Sequence, residues 1–204
     1  DFLVGIFFKY AETHHFYVER AWLVKNLDAL YTYPLQFGMK DVAIISIILT
    51  VLAIGTQHAY LDSPGRKAAD SNTGSAFSED ELGTLFYREA IRFLPEIIEL
   101  SSLESVQACL LFAVYSLPID AGGLGYIYIN LTIRLAMQNG MHRKYTGDAL
   151  GAAMVETRDR IWWTAYVLER YGDSLIVERR ITLTIRSLQE DIYLSWSTTC
   201  NVAI

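Results

Sequence analysis

The side chains that could do chemistry are few, and their spacing argues against most of it. There are four histidines, His14, His15, His58 and His142. A metal site needs His, Cys or carboxylate donors brought together, commonly by H-x-x-x-H on a helix or by C-x-x-C, and neither spacing occurs. Adjacent His14 and His15 point in different directions on a helix or a strand, so no metal site is expected. Glu79-Asp80-Glu81 and Glu190-Asp191 hold carboxylates together as acid–base catalysts do. The first group opens a helix, where the positive end of the dipole already favours anions, and the second is read the same way. Gly122-Gly123-x-Gly125 precedes a helix, as phosphate-binding loops do. No strand leads into it and no Lys-Ser/Thr follows, so it reads as a turn. A G-x-S-x-G nucleophile motif is absent. No catalytic, cofactor-binding or metal-binding residue is therefore assigned, and the chain is not expected to be an enzyme. Cys109 lies in an apolar helix and reads as a small buried hydrophobe. With Cys200 as the only other cysteine, the pattern suits a reducing compartment.

The elements that must position these residues read as helices throughout. Glu12 to Leu30 should hold a turn and a helix. Asp41 to Tyr60 should be a buried core helix, its apolar run Val42 to Gly55 being short of the roughly 20 residues that span a bilayer. Residues 61–76, rich in Ser, Gly, Asp and Asn, form a loop. Ser78-x-x-Glu81 and Ser101-x-x-Glu104 are capping boxes. The first opens a helix with Leu82, Leu85, Phe86, Phe93, Ile97 and Ile98 near one side, interrupted at Pro95. The second opens a helix carrying Leu103, Val106, Leu110, Val114 and Leu117 at helical spacing, ended by Pro118 and Gly122-Gly123. From Leu124 to Asn139 the strongly polar residues Asn130, Arg134 and Gln138 form one stripe at intervals of four. Asn139-Gly140 is a C-cap signal. A last helix begins near Ala152 and runs to Tyr171, with Glu156 and Arg160 as an i,i+4 pair. The tail, Ile181 to Trp196, alternates in part; an irregular segment packed on the helices is preferred to a hairpin.

Composition narrows the class. With 204 residues, 52% of them hydrophobic and 20% charged, the chain can bury a large core. A net charge of −6 and no Lys/Arg run make direct nucleic-acid binding a poor expectation, because that binding displaces counterions with basic residues. The opening DFLVGIFFKY has no basic n-region or cleavage pattern. No membrane association is expected. The fold expected is all-α: a multi-helix array of antiparallel helix pairs with an irregular C-terminal tail. It is read as a single domain over residues 1–204, incomplete at one or both ends.

Several segments, in order, resemble one family. They are THHFYVERAWLVKNLD (13–28), IILTVLAIGTQHAY (47–60), LFYREAIRFL (85–94), SLESVQACLL (102–111), AMQNGMHR (136–143) and ETRDRIWWTAYVLER (156–170). Together they are similar to the fungal-specific transcription factor domain, the middle homology region that lies downstream of a zinc binuclear cluster. The resemblance implies an all-α regulatory domain acting in the nucleus through repression, effector response or contact with other domains and transcriptional co-regulators, with a small-molecule effector and a homodimer among its expected partners. It carries no catalytic residues. Zinc would belong to the six-cysteine DNA-binding module, which two cysteines cannot build, so no cofactor is expected here. After Ser174, Val177-Glu178-Arg179-Arg180 stands where the family has a Gly-Arg-Pro turn.

The residues shared with the family have a physical reading as structural groups. Gln107 can hydrogen-bond within a helix interface. Arg134 and Arg160 can reach Glu156, Glu169 or free carbonyls between helices, since buried charges must be paired. On that reading Arg160→Ala should cost a few kcal/mol. His142 and Arg143, just past Gly140, should cap the preceding helix, with contact to a ligand or partner as the alternative. Trp162 and Trp163 face opposite sides of their helix and should pack at two interfaces, with a pocket lining as the alternative. Arg170 closes the motif. Two other functions stay open: a stand-alone helical scaffold, and a small-molecule-converting helical enzyme.

Overall fold

The structure, a computed structural model, describes residues 2–34, 38–62 and 79–170. Every regular element among the described residues is a helix, as expected. Helix α1 (Phe2–Ile6) runs into a π-helical turn, Phe7–Ala11. Helix α2 spans Arg20–Thr32, and α3 spans Val42–His58 with short 3₁₀ turns at both ends. Helices α4 (Glu79–Ile91), α5 (Leu94–Leu100) and α6 (Leu103–Asp120) follow. A π-helical turn, Ala121–Gly125, leads into α7 (Tyr126–Gln138), and α8 covers residues 152–170.

Helix α3 is the centre because its sequence, VAIISIILTVLAIGTQH, has no strongly polar face to offer water. Small residues let its neighbours come close. A Cβ at Gly55 would lie 2.6 Å from the Leu3 carbonyl oxygen of α1, and one at Gly83 of α4 would lie 2.1 Å from Thr56 Oγ1. Ser46 Oγ donates to the Ala90 carbonyl at 3.1 Å. Since Ser46 meets Ala90 while Thr56 meets Gly83, α3 and α4 run antiparallel. Helices α6 and α7 form a second antiparallel pair. The Phe112 and Tyr128 rings are 5.9 Å apart, Leu117 backs Gly125, and Asn139 Nδ2 donates to the Ser101 carbonyl at 2.8 Å. Gln57 of α3 joins the two pairs through the Tyr115 carbonyl at 3.2 Å. Buried Thr50, Ser116 and Thr132 each donate to the carbonyl four residues back, so their hydroxyls enter the core satisfied. The stretches Met39–Asp62 and Leu103–Asp120 are long and apolar enough to cross a membrane by length and composition. However, 67% and 61% of their most apolar windows are buried against other helices.

Local details depart from the sequence reading. Pro95 sits at the start of α5, where its missing N–H costs nothing, so the chain turns at Arg92-Phe93 as expected. The second capping box lies one residue later than expected. Ser101 is the left-handed C-cap of α5 (φ 45°). Ser102 caps α6: its Oγ accepts the Ser105 N–H at 3.2 Å, and Ser105 Oγ accepts the Ser102 N–H at 3.1 Å. Pro118 lies inside α6 instead of ending it, two residues from a terminus that is already opening. There Asp120 Oδ2 accepts the Leu124 N–H at 3.3 Å and guides the chain into the π turn. Leu85 is exposed because α4 presents Gly83 and Ala90 to α3, and Ile98 is exposed because α5 buries Ile97 instead. Residues 63–76 of the expected loop, Ser78, and the tail from residue 171, with Cys200 and Glu190-Asp191, lie outside the described residues.

Candidate functional site

Helix α8 organises both neighbourhoods in which the marked residues gather. It buries Ile161, Thr164 and Ala165, the i, i+3, i+4 face of an amphipathic helix. Thr164 Oγ1 accepts the Phe16 N–H at 3.2 Å and so pins the segment that precedes α2. One residue on, the Tyr17 carbonyl accepts from Gln107 Nε2 at 2.9 Å. Gln107 is buried and ties α6 to this same segment. Held from both sides, residues 12–16 stand off α8 and leave an open cleft of about 550 Å³.

The cleft is lined by Phe8, Glu12, Thr13, His14, His15, Phe16, Arg160, Trp163 and Thr164. Arg160 lays its guanidinium over the Phe16 ring, 3.9 Å from the centroid. The expected buried network of Arg160 with Glu156 does not form. Both are exposed, and the arginine stacks on an aromatic face instead. Arg134 and Gln138 are likewise exposed on α7, while Asn130 of the same stripe is half-buried and donates to the Tyr126 carbonyl at 3.0 Å. The two tryptophans divide. Trp162 packs partly on the core, whereas Trp163 is 60% exposed on the cleft wall, against the expectation of two packed interfaces. Glu12 Oε1 accepts the Tyr17 N–H at 3.2 Å. Burial raises the Glu12 carboxyl to about 7, against the opposing N–H groups of Tyr17 and Val18 and the Arg160 charge. Burial, then the His14 charge, lowers His15 below its usual value.

The second neighbourhood closes α7. Gly140 (φ 69°) gives its N–H to Met137 O at 2.9 Å, and Met141 gives its own to Ala136 O at 3.0 Å, a Schellman cap with Met141 buried behind it. The basic side chain on the last carbonyls is Arg158, which donates to Asn139 O. His142 and Arg143 do not cap. Both are exposed, and Arg143 Nε donates to His142 Nε2 at 3.1 Å. The His142 ring lies 6.0 Å from Trp162, which stacks on Tyr166 at 6.1 Å. Arg170 covers Tyr166 at 5.2 Å and pairs with Glu169 at 3.4 Å.

Sequence reasoning missed Glu12, Phe16 and Arg158. Nothing local marks Glu12 or Phe16, whose role comes from a segment placed by long-range hydrogen bonds. Arg158 sits in an Arg-Asp-Arg run whose two arginines look alike in sequence. Chemically, the cleft offers one permanent cation, two imidazoles, a carboxyl that is half-neutral at neutral pH, and aromatic faces. No group of three His, Cys, Asp or Glu placed to hold a metal is found among the described residues. The Cys109 thiol, pushed up to about 12 by burial, stays protonated in the core.

The comparisons point one way. A family model, "Fungal specific transcription factor domain", matches residues 4–185. An uncharacterized transcriptional regulatory protein of Schizosaccharomyces pombe is 24% identical over 170 residues, covering 83% of this chain and 20% of its own length. The thiamine repressible genes regulatory protein thi1 of the same yeast is 23% identical over 188 residues, covering 92% and 23%. Activator of stress genes 1 of Saccharomyces cerevisiae is 26% identical over 164 residues, covering 78% and 16%. The chain thus spans about a fifth of the length of these curated relatives. No solved structure matches.

Proposed function

This chain belongs to the fungal specific transcription factor domain family, and from that premise we propose that it is the effector-responsive, protein-contacting part of a fungal transcription factor, acting in the nucleus without touching DNA itself. Its role is in transcription regulation. The observation that carries the finer reading is the cleft between residues 12–16 and α8. It is a concave site of small-molecule size with convergent polar groups, walled by α8 on one side and by the non-helical residues 12–16 on the other. No nucleophile–base pair lies in it, and the relatives are transcriptional regulators, both of which favour sensing over turnover. One relative is named for thiamine-repressible genes and another for stress genes, outputs that follow a cellular condition. The charge of −6 speaks against a DNA contact by this part. Exposed Ile119, Leu124 and Ile127 at the α6–α7 corner offer an apolar face to other domains, a co-regulator or a second copy.

The test is a reporter assay with the chain fused to an unrelated DNA-binding domain. The fusion should change reporter output relative to the DNA-binding domain alone, and the unfused chain should give no shift of DNA fragments in a gel. Unchanged output, or sequence-specific DNA binding by the chain itself, would overturn the proposal.

A further inference from the structure

We propose that the cleft between residues 12–16 and α8 binds a small aromatic carboxylate, with Arg160 taking the carboxylate and the exposed face of Trp163 taking the ring. The inference deepens the effector reading and rests on it for its biological meaning, while the binding itself is a property of this chain.

The charges in the cleft select an anion. The Arg160 guanidinium carbon sits 3.9 Å from the Phe16 centroid, and the side chain is exposed with no ion pair to its N–H donors among the described residues. That planar fork matches a carboxylate. The one acid lining the cleft, Glu12, feels the Arg160 charge but makes no hydrogen bond to it. Its Oε1 is committed to the Tyr17 N–H, and it carries only part of a charge at neutral pH. His14 and His15 also line the cleft and add ring N–H donors. With a single permanent cation, the balance suits a monocarboxylate better than a phosphate dianion, whose second charge would find no partner.

The ring is selected by what remains. Trp163 is 60% exposed on the cleft wall, with Phe8 also lining the site. The Trp163 ring meets Tyr166 edge-to-face at 5.8 Å, and the exposed remainder of the indole can stack on a flat apolar group. The volume, about 550 Å³, falls in the range of sites for small ligands and is too small for a folded partner. Arg160 and Trp163 are three residues apart on one helix, so they flank the same opening, and a single ligand can meet both.

The test uses the 204-residue chain and 2-naphthoate, whose own fluorescence anisotropy reports binding, with 2-naphthamide as the uncharged control. Saturable binding with a Kd below about 1 mM is expected for the acid, and at least about tenfold weaker binding for the amide. Arg160→Gln should weaken naphthoate binding about tenfold, and Arg160→Lys should fall between. Trp163→Leu should weaken it roughly three- to tenfold. Each variant is checked for unchanged helicity by circular dichroism. If Arg160→Gln loses helicity, the lysine variant and the amide decide. Absence of saturation, equal binding of the amide, or Arg160 variants that bind like the parent would overturn the proposal. A chain that changes reporter output yet binds no naphthoate sinks this inference alone. Binding without any reporter effect sinks the regulatory reading alone.

Discussion

Arg160 shows how far a residue's type can be read before its surroundings are known. As a buried ion-pair member it would be costly to remove. As an exposed guanidinium over Phe16, it contributes a cation–π contact of about 0.5–1 kcal/mol. Arg160→Ala should therefore lower unfolding free energy by about that amount in urea titrations, and a loss of 3 kcal/mol or more would restore the buried network. Glu12 makes a pH prediction. Its carboxyl ionises near 7 in the fold against an ordinary 4.5, chiefly because of burial. Between those values the folded state holds more protons than the unfolded one, so the Glu12 contribution is full at low pH and is lost as pH rises through about 7. Glu12→Gln should gain on the parent progressively from about pH 4.5 to 7 and hold that gain above. A constant difference between the two stability curves would refute it. His15, whose shift has the opposite sign, is common to both proteins and cancels. Gln107 was legible because a lone amide in an apolar helix must find a partner. Arg160 was not, because it lies one turn before Thr164, at the edge of the buried face, and only the placement of residues 12–18 decides which way it turns.

At the scale of elements, apolar periodicity located α3, α6 and α7 well, because each buries so much of its surface that no other structure would hide it. The junctions were less legible, being decided by hydrogen bonds of single residues. The α5–α6 junction gives a clean test, since two adjacent serines have unlike roles. Ser102→Ala removes the acceptor for the Ser105 N–H and should cost about 1 kcal/mol. Ser101→Ala removes a buried hydroxyl without a hydrogen-bond partner among the described residues and should cost nothing or stabilise slightly. Thermal melts of the two variants that came out in the reverse order would return the cap to Ser101. Pro118 misled because a proline near a helix C-terminus removes a hydrogen bond from a turn that is already unwinding, here into the π turn before α7. Gly55 carried a readable signal, a glycine inside a strongly apolar helix, but only the partner explains it. Gly55→Ala drives a Cβ into the Leu3 carbonyl of α1 and should cost about 1–3 kcal/mol, measured by denaturant unfolding. A neutral outcome would mean that α1 does not sit on α3.

For the whole molecule, the order of burial predicts an order of stability. Helix α3 is enclosed by α1, α4 and α6, and α6 is in turn covered by α7, so the α3–α6 interface has no solvent side. Helix α8 and residues 12–18 stand differently. They hold each other through Thr164, hold the core through Gln107 and Arg158, and keep one face in water along the cleft. A part that buries one face, here Tyr17 and Val18 with Ile161 and Ala165 of α8, opens at lower free energy than one buried on all sides. Such a part is the natural place for a responsive site, because a ligand can stabilise it with little resistance from the core. Native-state hydrogen exchange followed by mass spectrometry should therefore show the amides of α3 and α6 exchanging last, near the global unfolding rate. Peptides from residues 12–18 and 152–170 should exchange earlier and together. Gln107→Ala, which frees the Tyr17 carbonyl, should speed residues 12–18 and α8 while leaving α3 unchanged. If Gln107→Ala instead speeds all segments equally, the cleft is part of one cooperative core, and a ligand there has no separate element to act on.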